Sequence, residues 1–366
     1  MKIAVYAIAL NEVENVADWY ENVKDADGIF VLDTGSRDGT VNALRELGVT
    51  VHQMHTGKTF RFDHARNEAA SLIPADYDVC VSLDFDERFE SHWRSAIESE
   101  FTEEMTAANY TLVYEHDAQG NILCSYPRMA IHRPKRAAWQ YPIHELLVPD
   151  VSEKHPTISF LCVHYGERKD AGHYLDLLKL AYEENPNDAR CVQYLAREYF
   201  GMGNYQMAEP LYKTHVDIEE VAPFRAESCR RIAYMNRDDF KTAEWWYRHA
   251  IQHCDNIRES YGHLALYYFQ HKKYEHCIAY VKSMLEVERP DYDMIYEDYF
   301  YQDSWGHHML MACYQQLNFL RPAAQHRDIL LQMFDGKMSL ELARDIAILE
   351  KTIQEARHVY LDSMGV

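Results

Sequence analysis

The feature that most constrains the fold is a repeat of about 34 residues in the second half of the chain. The segments LAREYFGMGNYQMAEPLY, IAYMNRDDFKTAEWWY and LALYYFQHKKYEHCIAYV align on Tyr205, Phe240 and Tyr274, in steps of 35 and 34 residues. Small and aromatic residues recur in the same register, at Ala208, Ala243 and Cys277 and at Tyr199, Tyr234 and Tyr268. A unit of this length is a helix–turn–helix pair that buries its apolar side only against neighbouring units. The second half is therefore predicted to be a stack of helical pairs.

The stack is predicted to continue towards the end of the sequence. A fourth unit, MLMACYQQLNFLRPAAQHRDIL, follows an insertion rich in aromatic and acidic residues, RPDYDMIYEDYFYQ. The last amphipathic segment, SLELARDIAILEKTIQEARHVYL, is expected to cap the stack. The period and the small/aromatic pattern match the tetratricopeptide repeat. Most of the Tyr and Trp side chains are expected to pack between helices, and no residue identifies a ligand for the concave face.

The first half of the chain follows a different pattern, in which strands alternate with helices. The apolar runs KIAVYAIAL, GIFVLD, VTVHQM and YDVCVSLD predict four strands, and VENVADWYENV, RDGTVNALREL and RFDHARNEAASLI predict helices between them. Such alternation indicates a parallel sheet, whose ligands bind beyond the carboxyl ends of the strands. We therefore predict an α/β domain at residues 1–168 and a helical repeat domain at residues 169–366.

Composition and charge narrow the class of protein. The chain has 366 residues, of which 47% are hydrophobic, and its formal net charge is −21. Such an acidic chain is a poor general binder of nucleic acid or anionic membrane. No apolar run approaches the roughly 18–20 residues that span a bilayer. The segment MKIAVYAIALNE is typical of a first strand and not of a signal peptide. We predict a cytoplasmic protein with no transmembrane segment.

Carboxylates gather where the fourth predicted strand ends. In VSLDFDERFE, Asp84 and Asp86 flank one residue, so both side chains can point the same way from one loop. Two converging carboxylates suit a hard divalent cation such as Mg²⁺ or Mn²⁺, which usually also binds substrate phosphates. The alternative is a solvated acidic turn, because a lone D-x-D is common.

Further polar residues are predicted at the same edge of the sheet. Asp33 ends the second strand, where a carboxylate can accept a hydrogen bond from the imide N–H of uracil or from a ribose hydroxyl. Asp63 and Arg66 are three residues apart at the start of a helix. They are expected either to pair with each other or to line a nucleotide pocket.

A basic stretch, RMAIHRPKRAAWQYPIHE, stands out in this acidic chain. Arg128, Arg133, Lys135 and Arg136 lie within nine residues. The stretch is either a solvated loop or compensates the charge of a diphosphate or a phosphorylated acceptor. Trp139 is expected either to stack on a sugar ring or to pack beneath the loop.

Several segments together resemble the nucleotide-binding half of family 2 glycosyltransferases with the GT-A fold. They are IALNEVENVADWYENVKDADGIFVLDTGSRDGT, FDHARNEAA and YDVCVSLDFDE, while WQYPIHELL and the later HYG resemble the second half of that domain. The segment KDAGHYLDLLKLAYEENPNDARCVQYLAREYFGMGNYQMAEPLY resembles the tetratricopeptide extension of one branch of the family. The resemblance implies a GT-A, Rossmann-like α/β catalytic domain followed by an all-α repeat domain.

The resemblance also implies roles for particular residues. Asp33 would contact the nucleotide base, and Asp86 would bind the metal on the diphosphate. Asn11 and Glu12 would line the nucleotide pocket, and Asp84 would lie near the ribose and the metal. Asp63 and Arg66 are assigned to the same nucleotide-sugar pocket from their position at a helix start. His164 would be a late metal or diphosphate contact; an ordinary histidine at a strand end is the alternative.

Glu145 is the predicted general base. An inverting transfer needs a carboxylate on the acceptor side, away from the metal. Glu145 lies beside His144 in YPIHELL, where the resembling family has an acceptor-side acid. His144 is grouped with Arg128, Arg133, Arg136 and Trp139 as a contact of the acceptor or the diphosphate. The alternative is that Glu145 caps a loop or pairs with a residue of the basic stretch.

Residues and resemblance together predict an inverting, metal-dependent glycosyltransferase. The donor would be a nucleotide-diphosphate sugar, UDP-linked, with Mn²⁺ or Mg²⁺ as cofactor. The acceptor stays open between a glycan, a peptide and a modified DNA base, and the repeat domain would orient it or form a homodimer. One alternative is a nucleotidyltransferase, although AIALNEVEN contains no glycine-rich phosphate loop. The other is a repeat scaffold that carries a non-catalytic sugar-nucleotide-binding domain.

Overall fold

The structure, a computed structural model, describes residues 1–54, 60–116, 122–151, 155–166, 170–290, 298–334 and 338–364. These residues divide into two compact units: an α/β unit, Met1–Pro186, and a helical unit from Asn187 onward. The predicted boundary between residues 168 and 169 lies outside the described residues. The helix that follows it, Leu175–Glu184, belongs to the α/β unit.

The described part of the α/β unit contains ten strands and five helices. The strands are β1 (Ile3–Ala9), β2 (Gly28–Asp33), β3 (Thr50–Gln53), β4 (Val79–Ser82), β5 (Glu87–Phe89), β6 (Ala107–His116), β7 (Ile122–His132), β8 (Ala137–Gln140), β9 (Leu146–Pro149) and β10 (Thr157–His164). The helices are α1 (Val16–Val23), α2 (Thr40–Glu46), α3 (Phe62–Ser71), α4 (Trp93–Glu100) and α5 (Leu175–Glu184).

Eight of these strands form one sheet in the order β3-β2-β1-β4-β7-β6-β10-β5. β1 pairs in parallel with β2 and β4, and β2 pairs in parallel with β3. The predicted parallel arrangement of the first four strands is therefore confirmed. The other half of the sheet is mixed, because β7 runs antiparallel to both β4 and β6. Strand–helix alternation ends after β4, so the sequence pattern does not predict this second half.

The first strand shows why its sequence is apolar at almost every position. Val5 faces one core together with Trp19 of α1, and Tyr6 faces the opposite core together with Ala65 of α3. A strand covered on both faces has no solvent side that would favour alternation with polar residues. The continuous apolar run is therefore a direct consequence of helices on both faces of the sheet.

The described part of the helical unit consists of nine α-helices and one short 3₁₀ helix at Asp298–Tyr301. The α-helices are α6 (Ala189–Gly201), α7 (Tyr205–Ile218), α8 (Ala222–Met235), α9 (Phe240–His253), α10 (Arg258–Gln270), α11 (Tyr274–Leu285), α12 (Asp303–Gln316), α13 (Leu320–Phe334) and α14 (Leu340–Met364). None of the described helices is long and apolar enough to cross a membrane.

The repeat register of the sequence is the register of the structure. The second helix of each pair, namely α7, α9, α11 and α13, begins at Tyr205, Phe240, Tyr274 and Leu320. Three residues later each of these helices has a small, fully buried side chain, at Ala208, Ala243, Cys277 and Ala323. A small side chain at this point permits close approach of neighbouring helices. The helical unit therefore resembles the tetratricopeptide repeat, as predicted.

Packing of the recurring tyrosines is not uniform. Tyr199 and Tyr268 are buried between helices, whereas Tyr234 is 44% exposed. Arg237 lies over the Tyr234 ring with its guanidinium carbon 4.6 Å from the ring centroid. Tyr234 also contacts Phe200 of α6 and Tyr205 of α7, with ring centroids 5.6 and 6.4 Å away, so all three tyrosines pack between helices and Tyr234 does so only in part.

Candidate functional site

The loops after β1 and β2 meet at the carboxyl edge of the sheet. The backbone N–H of Asn11 donates to Ser36 Oγ at 2.8 Å, and the N–H of Arg37 donates to Asn11 Oδ1 at 2.8 Å. Asn11 adopts a left-handed φ of 59°, which asparagine tolerates better than most residues. The N–H of Glu12 donates to Thr40 Oγ1 at the start of α2. The predicted lining residues Asn11 and Glu12 are thus tied to the loop that follows Asp33.

Asp33 is fully buried at the end of β2. Its carboxylate accepts hydrogen bonds from the N–H groups of Gly35 and Ser36 and from Gln53 Nε2, over 3.1–3.4 Å. Asp33 therefore holds its own loop in place. A nucleotide base would reach it only after the residues above it moved, so its predicted role as a base contact stays a prediction.

The two carboxylates of the D-x-D have different environments. Asp84 accepts two hydrogen bonds from Arg66, at 2.7 and 2.8 Å, and a third from Arg128 at 3.1 Å. Burial would raise the pKa of Asp84, but the two guanidinium groups outweigh it and hold the pKa well below its ordinary value. Asp86 is 42% exposed and its carboxylate lies beside His164. The structure thus separates a carboxylate committed to arginines from one that faces solvent.

Asp84 is the centre of a chain of alternating charges. Arg66 also donates from Nε to Glu145 at 2.5 Å, and Arg128 also pairs with Glu87. We call Glu145, Arg66, Asp84, Arg128 and Glu87 the ion-pair chain. Arg66 and Glu87 are almost completely buried. Buried charges of this kind persist only when each is paired and hydrogen-bonded.

Asp86 and His164 form a second, more open pair. Oδ2 of Asp86 is 3.4 Å from Nε2 of His164, and the imidazole stacks on Tyr114 with ring centroids 5.0 Å apart. Interaction with Asp86 raises the pKa of His164, against the effect of burial. The N–H of Tyr165 donates to the carbonyl oxygen of Asp86 at 2.7 Å, which fixes the two segments to each other.

Gly166 lies so close to the Asp86–His164 pair that only glycine leaves room for both side chains. A Cβ on Gly166 would lie 2.5 Å from Nε2 of His164 and closer still to Oδ2 of Asp86. No side chain fits there without displacing one of the two groups. The main chain at Gly166 therefore forms a close wall behind the Asp86–His164 pair.

A cavity of about 960 Å³ opens next to this pair. Its charged lining residues are Glu12, Glu14, Asp18, Glu21, Asp86 and Arg88. Burial raises the pKa of Glu12, and the nearby carboxylates of Asp86 and Asp84 add to this increase, although Asn15 donates to Glu12 at 2.8 Å. The cavity is thus strongly acidic and favours positive charge.

The residues present fit a hard divalent cation with two protein ligands. Among the described residues, no group of three or more His, Cys, Asp or Glu side chains is arranged to hold a metal. Mg²⁺ sites commonly use one or two protein carboxylates and complete their coordination with substrate phosphates and water. Asp86 supplies one such carboxylate with the ring nitrogen of His164 beside it, whereas Asp84 already accepts from both arginines.

The expectation that Asp63 pairs with Arg66 is wrong. Asp63 accepts from Arg61 at 3.0 and 2.8 Å, and Arg61 also pairs with Glu184. Arg61 precedes α3 in an extended conformation, so its side chain folds back over the first turn. Arg66 instead points towards Asp84 and Glu145. The other alternative, that Asp63 lines a nucleotide pocket, stays a prediction.

The structure does not bring the residues of the basic stretch together. Arg128 lies on β7 in the ion-pair chain. Arg133 donates to the carbonyl oxygens of Met105 and Thr102 at 2.8 and 2.9 Å, and Arg136 pairs with the exposed Asp150 at 2.5 Å. Each arginine therefore has partners of its own, and the three do not form one phosphate-binding surface.

Trp139 packs inside the α/β unit and does not face a sugar. It is 4% exposed, and its Nε1 donates to the hydroxyl of Tyr6 at 2.8 Å. The main chain of Trp139 exchanges two hydrogen bonds of 2.8 Å with the Asn67 side chain. Of the two alternatives for Trp139, the structure therefore shows packing beneath the loop.

The segment with His144 and Glu145 is strained and anchored by α3. Tyr141 and His144 have left-handed φ angles of 76° and 51°. This backbone conformation costs energy for residues other than glycine. The N–H of Phe62 donates to the carbonyl of Pro142 at 3.0 Å. Glu145 is 10% exposed and pairs with Arg66, a residue outside the basic stretch. His144 is exposed at the surface.

Two residues of the site were missed by reasoning from the sequence. Tyr114 lies in β6 and carries no signal that connects it to His164, because the contact depends on how β6 and β10 pair. Glu87 pairs with Arg128, forty-one residues away in the sequence, and no local pattern connects the two. For Gly166, the HYG segment gave a signal only through its resemblance to the second half of the GT-A domain.

Comparison with known proteins supports the prediction that the helical part of the chain consists of tetratricopeptide-like repeats. A TPR repeat-containing protein of Synechococcus elongatus is 30% identical over 148 residues, which are 40% of this chain and 35% of that protein. The chain thus spans about a third of the length of the curated relative that it matches. No family model matches the chain.

Several solved structures share a low similarity with the chain. They include MamA at 14% identity and a TM-score of 0.36, covering 45% of this chain and 86% of that one. MamA residues 41 to the end, from Desulfovibrio magneticus, give 15% identity, a TM-score of 0.36 and coverage of 45% and 86%. PilF of Pseudomonas aeruginosa gives 12% identity, a TM-score of 0.35 and coverage of 47% and 72%.

Proposed function

We propose that the α/β unit is the catalytic domain of a metal-dependent glycosyltransferase with a nucleotide-diphosphate sugar, UDP-linked, as donor. The observation that carries the proposal is the Asp86–His164 pair beside Gly166, at the mouth of an acidic cavity. The pair lies at the carboxyl edge of a sheet whose first four strands are parallel, where ligands of such sheets bind. The resemblance of the same segments to family 2 glycosyltransferases supports the same class.

Asp86 and His164 are the residues that would hold Mn²⁺ or Mg²⁺. A bound divalent cation would stabilise the negative charge of the leaving diphosphate. We assign Asp84 to the ion-pair chain and not to the metal, because Arg66 and Arg128 already donate to both of its oxygens. In this position Asp84 fixes the main chain just before Asp86.

Glu145 is proposed as the group that accepts the proton of the acceptor. Its carboxylate accepts a hydrogen bond from Arg66 Nε at 2.5 Å, which holds the side chain in place. The same guanidinium joins Glu145 to Asp84, so the acceptor side and the donor side are held by one side chain. The acceptor itself, a glycan, a peptide or a modified DNA base, stays open.

The proposal is tested by binding and turnover in parallel. Calorimetry of UDP binding is expected to show tighter binding with Mn²⁺ than with EDTA. Asp86→Asn should remove this metal dependence and abolish UDP release from a donor panel. Asp76→Asn is the matched control, since Asp76 is exposed, pairs with Lys2 and does not line the cavity, and it should leave both unchanged. Equal UDP affinity with and without Mn²⁺ in the unaltered protein would contradict the proposal.

A second candidate function is a repeat scaffold with a non-catalytic sugar-nucleotide-binding domain. The similarity to a TPR repeat-containing protein favours it, and the helical unit would then bring partners together or form a homodimer. Metal-dependent UDP binding without hydrolysis or transfer from any donor is the result expected of this scaffold. Sugar transfer that disappears in Glu145→Gln, with UDP affinity retained, is the result expected of the enzyme.

A further inference from the structure

Two histidines of the fourth helical pair face each other. His307 of α12 and His326 of α13 approach with their Nδ1 atoms 3.0 Å apart and their ring centroids 5.2 Å apart, at an angle of 32°. Both side chains are partly exposed. Tyr314 stacks on His326 with ring centroids 5.8 Å apart and the planes 8° from parallel. The pair thus connects two neighbouring helices at a site that water can reach.

Burial favours the neutral form of both rings. Burial lowers the pKa of His307, against the effect of Asp303 one turn earlier in α12. Burial, with His307 and Lys282, lowers the pKa of His326 to about 4. A neutral imidazole has one nitrogen with a free lone pair. Two such lone pairs repel each other at 3.0 Å unless a proton or a cation lies between them.

We propose that His307 and His326 form a two-histidine binding site for a late first-row divalent metal ion such as Zn²⁺ or Cu²⁺. Imidazole nitrogen is a preferred ligand of these ions. Two nitrogens that each bind Zn²⁺ at roughly 2.0–2.1 Å are about 2.8–3.4 Å apart for bond angles between 90° and tetrahedral. The separation of the two Nδ1 atoms, 3.0 Å, falls in that range.

The site is of a different chemical kind from the Asp86–His164 pair. No third His, Cys, Asp or Glu joins His307 and His326 among the described residues, so water completes the coordination. An all-nitrogen protein ligand set selects Zn²⁺ or Cu²⁺ over Mg²⁺ and Mn²⁺. Because the ion would bridge α12 and α13, it stabilises the folded helical pair by binding the native state in preference to the unfolded chain.

The test is Zn²⁺ binding to the full chain, measured by competition with a chromogenic chelator after treatment with EDTA. His307→Gln and His326→Gln are each expected to lose one Zn²⁺ equivalent, or to bind it at least tenfold more weakly. His308→Gln is the matched control, because His308 neighbours His307 but pairs with Asp345 at 2.8 Å. His249→Gln is a second control, since its ring lies 4.5 Å from that of His253 in α9. Both controls should bind Zn²⁺ as the unaltered protein does.

A spectroscopic measurement keeps the proposal testable if the His307 or His326 variants fold poorly. In the His249→Gln protein loaded with one equivalent of Cu²⁺, electron paramagnetic resonance should show coupling to two imidazole nitrogens. Coupling to one nitrogen or none would overturn the proposal. Unchanged Zn²⁺ stoichiometry and affinity in well-folded His307→Gln and His326→Gln proteins would also overturn the proposal. The contact between His307 and His326 would then be an ordinary hydrogen bond between two neutral rings.

Discussion

At the scale of single residues, position in the sequence does not decide what a side chain does. Asp84 and Asp86 are two residues apart, yet Asp84 accepts from two arginines whereas Asp86 faces a histidine and solvent. The difference arises because the main chain turns after β4 and directs one carboxylate inwards and the other outwards. The chemical role of each side chain in this site therefore follows from its exposure to solvent and from its partners.

Gly166 is the residue whose substitution tests the role of the Asp86–His164 pair. Gly166→Ala should remove Mn²⁺-dependent UDP binding while the protein stays folded, because the new Cβ would displace Asp86 or His164. The φ of Gly166 is not in the left-handed region, so alanine adds steric conflict and no backbone strain. Calorimetry with UDP and Mn²⁺, together with a thermal melt, checks this. Wild-type affinity in the variant would mean that the pair does not bind the metal.

His132 is a buried, neutral histidine of the α/β unit. Its Nδ1–H donates to the carbonyl of Arg133 at 3.0 Å, and its Nε2 accepts from the Tyr6 hydroxyl at 2.9 Å. Burial lowers the pKa of His132 to about 4. Between about pH 6.5, the ordinary histidine pKa, and pH 4, the unfolded chain binds a proton that the folded protein does not.

Stability should therefore fall as the pH is lowered through that window. The lowering of the His132 pKa from about 6.5 to about 4 corresponds to roughly 3 kcal/mol of unfolding free energy. Urea unfolding of the wild-type protein and of His132→Gln at several pH values between 8 and 4.5 measures the difference. The variant is expected to be less stable at pH 8 but to show a shallower decline on acidification. Parallel curves for the two proteins would exclude His132 as a source of the pH dependence.

At the scale of elements, close contacts explain residues that look misplaced in their own helix. Gly262 lies inside α10, where glycine is less favourable than alanine by about 0.8–1.0 kcal/mol. The short 3₁₀ helix that ends the insertion places the fully buried Phe300 ring against it. A Cβ on Gly262 would overlap this ring, with Cζ only 2.8 Å away. The glycine therefore makes room for the insertion to dock on α10.

We predict that Gly262→Ala lowers the melting temperature in spite of its better helix propensity. Overpacking costs about 1–3 kcal/mol, which exceeds the propensity gain, because an aromatic ring cannot move aside as a flexible side chain does. Gly306→Ala in α12 is the comparison variant, since its Cβ would meet the aliphatic side chain of Leu285 at 2.7–3.2 Å instead of an aromatic ring. The double variant Gly262→Ala/Phe300→Leu should recover part of the loss. An unchanged or raised melting temperature in Gly262→Ala would show that Phe300 relaxes without cost.

At the scale of the whole molecule, the ion-pair chain joins segments that are far apart in sequence. Arg66 of α3 connects Asp84 after β4 with Glu145 of the strained loop. Because Arg66 is almost completely buried, its removal leaves carboxylates in a low-dielectric environment without their partner. The α/β unit therefore depends on one side chain for the relative placement of three of its segments.

Arg66→Met is accordingly expected to lower the free energy of unfolding by about 3–5 kcal/mol, as for other broken buried pairs. Arg136→Met is the matched control, because the Arg136–Asp150 pair is exposed and exposed pairs contribute about 0–1 kcal/mol. Urea unfolding followed by circular dichroism compares them. Losses of similar size in the two variants would mean that the ion-pair chain adds no special stability.

The sequence by itself determined the elements and their repetition. Strands β1 to β4, the alternation with α1 to α3 and the phase of the helical repeats all follow from periodic apolar patterns. Periodicity is readable because backbone geometry imposes it locally, every two residues in a strand and every 3.6 in a helix. The small residues at Ala208, Ala243 and Cys277 were recognised for the same reason, since they recur at fixed offsets.

Only the tertiary structure decided which side chains are partners. Arg61 and not Arg66 pairs with Asp63, Arg128 pairs with Glu87, and Trp139 is buried beneath a loop instead of facing a sugar. These outcomes depend on how strands far apart in sequence are paired, on the direction in which each loop leaves the sheet, and on which charges lose their water. None of these is encoded in local periodicity, because desolvation and ion pairing depend on what the folded chain brings within a few ångströms.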